Sequence, residues 1–130
     1  MFSDPQSVTI TGFNGGVAIS LPRVSTSGSK SVYQSNDGLY IVTISHQTSG
    51  KPGTASFVTR SMYKLDVRIL ATDPFNAEKS AYQTFSVHTV LTKPAYGFTA
   101  SQETEITKAQ IANLSASTYA AVGKLIGGES

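Results

Sequence analysis

The stretch Phe57–Leu70, with the sequence FVTRSMYKLDVRIL, alternates apolar and polar side chains over most of its length. Because successive side chains of a strand point to opposite faces of its sheet, this alternation predicts one apolar face and one polar face. The apolar set is Tyr63, Leu65, Val67 and Ile69, and the polar set is Arg60, Lys64, Asp66 and Arg68. The stretch therefore predicts a long, half-buried strand of an antiparallel sheet.

Alternating runs before and after this stretch predict its neighbours in the sheet. Upstream, Ser31–Ser35 and Leu39–Gln47 flank the sequence Asn36-Asp37-Gly38, which is typical of a β-hairpin turn. Downstream, Ser80–Thr92 alternates again, and the intervening residues Ala71–Lys79 are predicted to form a loop. Each of these strands is expected to bury its apolar face and expose its polar face.

The N-terminal part of the chain predicts a separate hairpin. Ser7–Thr11 and Val17–Leu21 both alternate, and the turn sequence Asn14-Gly15-Gly16 lies between them. Pro22 ends the second strand because it has no N–H to donate to a strand ladder. The Ser- and Gly-rich segment Ser25–Ser29 is predicted to be a loop.

Helical patterning replaces the strand pattern from Thr99 onward. Thr99 and Gln102 fit a capping box, so a helix is predicted to begin there. A break is predicted at Ser115–Thr118, and a second short helix is predicted to end at Gly127-Gly128. Strands followed by helices predict an α+β fold. Two helices alone would bury only a small part of the apolar face of such a sheet. This favours a partner subunit that covers the rest.

The composition is that of one small domain, 1–130, with the hairpin and sheet in 1–98 and the two helices in 99–130. The 130 residues include no cysteine, which excludes disulfides and thiolate metal sites. Residues 1–98 contain eight Lys or Arg against five Asp or Glu, a net charge of +3, whereas residues 99–130 contain two against three, a net charge of −1. The sheet part of the chain is therefore its basic part.

The sequence lacks the residue patterns of common catalytic and cofactor-binding sites. It has no Gly-rich phosphate loop, nucleophile elbow or zinc-binding helix motif. Its two histidines, His46 and His88, are predicted to point to opposite faces of the sheet. The polar start predicts no targeting segment, and no run of residues has the length and apolar character of a membrane helix. We therefore predict that the protein is not an enzyme and has no cofactor, metal or membrane partner.

The polar faces of three predicted strands combine into a surface suited to RNA. Cations there can neutralise phosphates, hydroxyl and amide groups can contact bases, and a tyrosine can stack on an unpaired base. The candidates are Thr43, Ser45, Gln47, Arg60, Lys64, Arg68, Tyr82, Thr84 and Ser86, with His88 on the same side. We name this surface the polar sheet face.

The whole pattern resembles the coat proteins of single-stranded RNA bacteriophages of the levivirus type. The shared order is an N-terminal hairpin, an antiparallel sheet and two C-terminal helices, and it covers essentially the full chain. Local similarities are the run YIVTISHQ from Tyr40, the run YKLDVR from Tyr63, and the strand that begins at Tyr82. The resemblance implies a five-stranded sheet and an intertwined homodimer in which the helices of each subunit cross onto the other.

The resemblance also implies a function in the virion. Dimers would close into an icosahedral shell, usually T=3, in the host cytoplasm, with the polar sheet face lining the packaged single-stranded RNA. The same face would bind an RNA operator hairpin and repress translation. By position the resemblance adds Asp66 to the candidates, puts Tyr82 at a base-stacking position, and puts Thr43 and Ser45 at an adenine pocket. Three positions that are basic in well-known relatives differ here: Ile41, Gln47 and Asp66.

Other protein classes fit parts of the pattern. A non-viral RNA-binding module built on a sheet would use the same polar sheet face as a monomer or dimer, without forming particles. A secreted or pilus-type β adhesin would share the strands, but the C-terminal helices and the polar start argue against it. An enzyme fits least well.

Overall fold

A computed structural model of the chain describes residues 2–129, so that Met1 and Ser130 lie outside the described residues. The chain divides into two compact units, one up to Ala95 and one from Tyr96 onward. The strands are β1 (Gln6–Val8), β2 (Ile19–Leu21), β3 (Arg23–Ser27), β4 (Lys30–Gln34), β5 (Tyr40–Ser49), β6 (Val58–Asp73) and β7 (Asn76–Pro94), and the helix is α1 (Ala100–Ile126). A short 3-10 turn, Asn14–Gly16, lies between β1 and β2.

The strands form two antiparallel sheets. β1 pairs with β2, and the larger sheet has the order β3-β4-β5-β6-β7. Its register aligns Val42 with Leu65, and Leu65 with Val87, so the apolar sides of β5, β6 and β7 share one face. The predicted N-terminal hairpin and five-stranded antiparallel sheet are therefore confirmed.

The core lies between the N-terminal hairpin and the β4–β5 part of the larger sheet. Leu21, Tyr33 and Val42 are its fully buried members. Phe13, from the connection between β1 and β2, packs edge-on against Tyr40 with the ring centroids 6.5 Å apart. Full burial of a side chain such as Leu21 or Val42 contributes about 1.5–3 kcal/mol to folding. The hairpin thus covers part of the apolar sheet face, a role that the sequence alone did not reveal.

One predicted loop, Ser25–Ser29, is largely a strand. β3 covers Arg23–Ser27 and pairs with β4, with a register irregularity after Arg23. It forms one edge of the larger sheet, and its residues after Arg23 are all exposed. An exposed edge strand needs no apolar alternation, so a Ser- and Thr-rich segment can form one without the usual sequence signal.

The second predicted loop, Ala71–Lys79, is also mostly strand. β6 continues to Asp73 and β7 begins at Asn76, which leaves a connection of two residues. The register pairs Thr72 with Ser80, and both are polar, exposed side chains that carry no apolar pattern. The prediction was wrong because this end of the hairpin extends beyond the core, where burial no longer selects its residues.

The C-terminal unit contains one helical element, where two helices were predicted. The predicted capping box is confirmed: the Gln102 N–H donates to Thr99 Oγ1 at 3.2 Å, and the Thr99 N–H donates to Gln102 Oε1 at 3.0 Å. The backbone of Ala116–Tyr119 is not helical, and three of these four residues have positive φ. The interruption overlaps the predicted break at Ser115–Thr118. The position of the break was therefore predicted correctly, whereas the predicted number of helices was wrong.

The carboxylate of Asp37 closes the turn between β4 and β5. Asp37 Oδ1 accepts a hydrogen bond from Ser35 Oγ at 2.6 Å and one from the Leu39 N–H at 3.0 Å. These bonds, and first the one from Ser35, hold the pKa of Asp37 below its ordinary value of 3.8. The folded state therefore favours the ionised carboxylate. The resulting stabilisation is present above the ordinary pKa and is lost as the pH falls through the lowered one.

Replacement Asp37→Asn is expected to lower the melting temperature slightly at neutral pH, because the amide is a weaker acceptor than the carboxylate. The difference from the wild type should shrink as the pH falls below 3.8 and through the lowered pKa of Asp37, where the carboxylate of the folded wild type becomes protonated as well. Thermal melts over a pH series measure it, with the exposed carboxylate Glu78→Gln as a control. A difference that is constant at every pH would contradict the role assigned to the charge.

Candidate nucleic-acid interface

The ten predicted RNA-binding residues lie on one face of the larger sheet. Residues that pair directly across antiparallel strands point to the same face. The pairs are Thr43–Lys64 and Gln47–Arg60 between β5 and β6, and Asp66–Ser86 and Arg68–Thr84 between β6 and β7. Ser45 and Tyr82 lie two residues from Thr43 and Thr84 and so share that face. The common face is confirmed, whereas contact with RNA stays a prediction.

The most enclosed residue of the polar sheet face is Asp66 on β6, which is 8% exposed. The Ser86 hydroxyl on β7 donates a hydrogen bond to Asp66 Oδ1. Lys64 Nζ lies 3.4 Å from Asp66 Oδ2, and the Lys64 side chain is 30% exposed. These three residues form a charged hydrogen-bonded network that joins β6 to β7, which we name the Asp66 network.

A cation–aromatic pair lies beside this network. The guanidinium carbon of Arg68 is 5.1 Å from the ring centroid of Tyr82. Tyr82 is the diagonal neighbour of Arg68, because Arg68 pairs with Thr84. Tyr82 is 55% exposed, so its ring is accessible to an unpaired base.

Sequence reasoning missed some members of this face because it combined three strands only. β4 adds Lys30, Val32 and Gln34. Their signal was the turn around Asp37, which sets the register of β4 against β5. The apolar residues Leu70 and Val90 also lie on this face and are exposed. The polar sheet face is therefore a mixed surface, and it offers both charged and stacking contacts.

The opposite side of the larger sheet, the apolar sheet face, is covered only in part. On β7, Phe85 is 64% exposed and Val87 is 51% exposed. Both border an apolar groove that is lined by Ile10, Phe13, Leu65, Val67, Phe85 and Val87. Exposed apolar surface that continues from a core in this way is typical of a site that a second protein surface covers.

The two histidines lie on opposite faces, as predicted. His46 pairs with Ser61 and its Nδ1 forms a 2.8 Å hydrogen bond with Ser61 Oγ, whereas His88 pairs with Lys64 on the polar sheet face. Within residues 2–129, no three His, Asp or Glu side chains are grouped so that they could hold a metal ion. In the same part of the chain, no helix combines the length and apolar character needed to span a membrane.

Solved structures of phage particles are similar to this fold. A virus-like particle of bacteriophage AVE019 has a TM-score of 0.68 at 10% identity, covering 90% of each chain. A virus-like particle of Beihai levi-like virus 21 has a TM-score of 0.65 at 13% identity, covering 95% of this chain and 94% of that one. The bacteriophage GA protein capsid has a TM-score of 0.61 at 19% identity, covering 96% and 95%. The chain has the RNA-phage coat-protein fold.

No family model and no curated protein matches the sequence. The coat-protein fold is thus shared with chains whose side chains differ at most positions, as the identity of 19% with the bacteriophage GA capsid illustrates. The chemistry of the polar sheet face therefore depends on the residues of this chain and not on the fold alone.

Proposed function

We propose that the chain is a structural capsid protein that dimerises, assembles into an icosahedral shell and packages single-stranded RNA. The observation that carries the proposal is the coat-protein fold with two unlike sheet faces, one bearing cations and a stacking tyrosine, the other apolar and exposed on β7. The role is structural and not enzymatic, and its place is the virion after assembly in the host cytoplasm.

The apolar sheet face supports the dimer. Phe85 and Val87 expose large apolar side chains beside the core, at the β7 edge of the sheet. A second copy can extend the sheet at that edge and cover the exposed side chains with its own helix. Such a cover removes apolar surface from water and contributes about 25 cal/mol for each Å² buried.

The polar sheet face supports RNA binding. Arg60 and Arg68 can neutralise phosphates, Tyr82 can stack on a base, and the remaining candidates supply hydroxyl, amide, ammonium and carboxylate groups to base edges. The net charge of the chain is only +2. A shell that repeats the chain many times needs few cations in each copy to hold RNA, because the assembly multiplies them.

Two finer parts of the proposal concern geometry and regulation. We infer a T=3 shell, and we infer that Tyr82, Thr43 and Ser45 bind an operator hairpin whose occupation represses translation. The shell geometry rests on the resemblance, and the operator site rests on the resemblance together with the placement of these residues on the polar sheet face. Because Ile41, Gln47 and Asp66 replace basic residues of well-known relatives, the operator contacts are expected to differ in detail.

Electron microscopy of the purified full chain after recombinant expression tests the proposal. We expect round particles of uniform size with the ultraviolet absorbance of nucleic acid. A monomer with the absorbance of protein alone would contradict it, and empty particles would contradict RNA packaging. A dimer that binds RNA tightly without forming particles would instead support a non-viral RNA-binding module.

A further inference from the structure

The Asp66 network places an enclosed carboxylate in the middle of a surface proposed to bind a polyanion. Asp66 is 8% exposed, accepts a hydrogen bond from Ser86, and forms an ion pair with Lys64 across 3.4 Å. A carboxylate on such a surface repels phosphates and offsets the charge of a neighbouring cation. Its presence there therefore needs an explanation in terms of RNA binding.

The burial of Asp66 ties Lys64 to it. An enclosed carboxylate is stabilised only while charged and hydrogen-bonding partners compensate for the water that it has lost. If the Lys64 ammonium moved to a phosphate, Asp66 would keep, among residues 2–129, only the Ser86 hydroxyl as partner. Moving Lys64 thus carries a penalty that an exposed lysine would not have.

Arg68 is held in a different way. Its guanidinium lies over the exposed ring of Tyr82, 5.1 Å from the centroid. A guanidinium that packs on an aromatic ring keeps its N–H groups free, because they lie in the guanidinium plane and point away from its edge. They can therefore donate to phosphate oxygens. Lys64 and Arg68 are four residues apart on the same face of β6. The carboxylate of Asp66 compensates the charge of Lys64, whereas the neutral ring of Tyr82 leaves the charge of Arg68 uncompensated.

We propose that Asp66 is a positioning residue that withdraws Lys64 from phosphate contact and so limits sequence-independent binding of RNA. The proposal rests on the proposed function of the polar sheet face. It assigns phosphate binding on β6 to Arg60 and Arg68, and it leaves Lys64 as a fixed donor toward a base or ribose. A shell protein benefits from such a limit, since each free cation is repeated in every subunit.

The test is the salt dependence of binding to a fluorescently labelled poly(U) oligonucleotide, measured by anisotropy with the full chain. For single strands, the slope of log K against log salt has a magnitude of about 0.7 for each phosphate that the protein neutralises. Asp66→Asn is expected to steepen the slope by about 0.7 and to tighten binding about fivefold at the low end of a tenfold salt range. In the double variant Asp66→Asn with Lys64→Met, the slope should return to the wild-type value.

A matched pair of variants keeps the test decisive if Asp66→Asn fails to fold, as judged by circular dichroism. Among variants whose spectra show the native fold, Arg68→Met should flatten the slope by about 0.7, and Lys64→Met should flatten it clearly less. Equal flattening by both variants, or an unchanged slope in a folded Asp66→Asn, would overturn the inference. Failure of the proposed function looks different, because the wild-type chain would then not bind poly(U) even at low salt.

Discussion

Val87→Asp is expected to abolish dimerisation and particle formation. Val87 lies on the apolar sheet face of β7 and is 51% exposed, so it is available to the second copy that we propose as its cover. An unpaired carboxylate enclosed in an apolar contact costs several kcal/mol, and about 1.4 kcal/mol is a tenfold change in affinity. Association should therefore weaken by more than about a hundredfold, as measured by size-exclusion chromatography and electron microscopy.

Val90→Asp is a matched control for this variant. Val90 lies on the same strand and is 50% exposed, but it points to the polar sheet face. The same substitution there should leave the dimer intact and reduce RNA content, because the new negative charge lies on the face that we propose binds RNA. If Val87→Asp still formed particles, or if Val90→Asp disrupted the dimer equally, the apolar sheet face would not be the dimer interface.

The parts of the fold that the sequence predicted are those in which burial selects residues on one side of an element. The alternation of Tyr63, Leu65 and Val67 follows directly from contact with the core, so strand β6 and its faces could be derived. The start of the helix at Thr99 could be predicted equally well, because the capping box uses only local hydrogen bonds.

In the parts of the fold that were not predicted from the sequence, burial does not select apolar residues on one side of the element. β3 is an exposed edge strand, and the outer end of the β6–β7 hairpin extends beyond the core, so neither carries the alternation by which a strand is predicted. The covering role of the N-terminal hairpin was missed for another reason. The apolar pattern of Ile19 and Leu21 shows that a face is buried, but not against which surface.

The candidate site was predictable at the level of faces and not at the level of contacts. Alternation alone placed all ten candidates on one side of the sheet. The pairing of Asp66 with Ser86 depends on the register between β6 and β7, which long strands without a recognised turn leave open. On sequence grounds Lys64 and Arg68 are therefore equivalent, and only their contacts separate them.

Gly50→Ala is expected to have the largest effect on stability among substitutions of the β5–β6 loop. Gly50 follows β5 directly and has φ +83°, where a side chain is strained. An added Cβ would also overlap the carbonyl oxygen of Ser56 and lie 2.6 Å from its carbon. These are backbone atoms in a loop held by a 3.2 Å hydrogen bond from the Phe57 N–H to the Thr54 carbonyl, so they cannot rotate away.

Gly53→Ala separates the two causes, because Gly53 has nearly the same backbone angle, φ +80°, but no atom within 4 Å of an added Cβ. Strain alone should lower the free energy of unfolding by about 1–2 kcal/mol in Gly53→Ala. Gly50→Ala adds the steric overlap and should lose about 3 kcal/mol or more, as measured by urea denaturation. Since β5 and β6 carry Gln47 and Arg60 close to this loop, the shift needed to relieve the overlap should also weaken RNA binding. Equal losses in the two variants would mean that the loop moves freely, and that the close approach of Ser56 to Gly50 does not hold the two strands together.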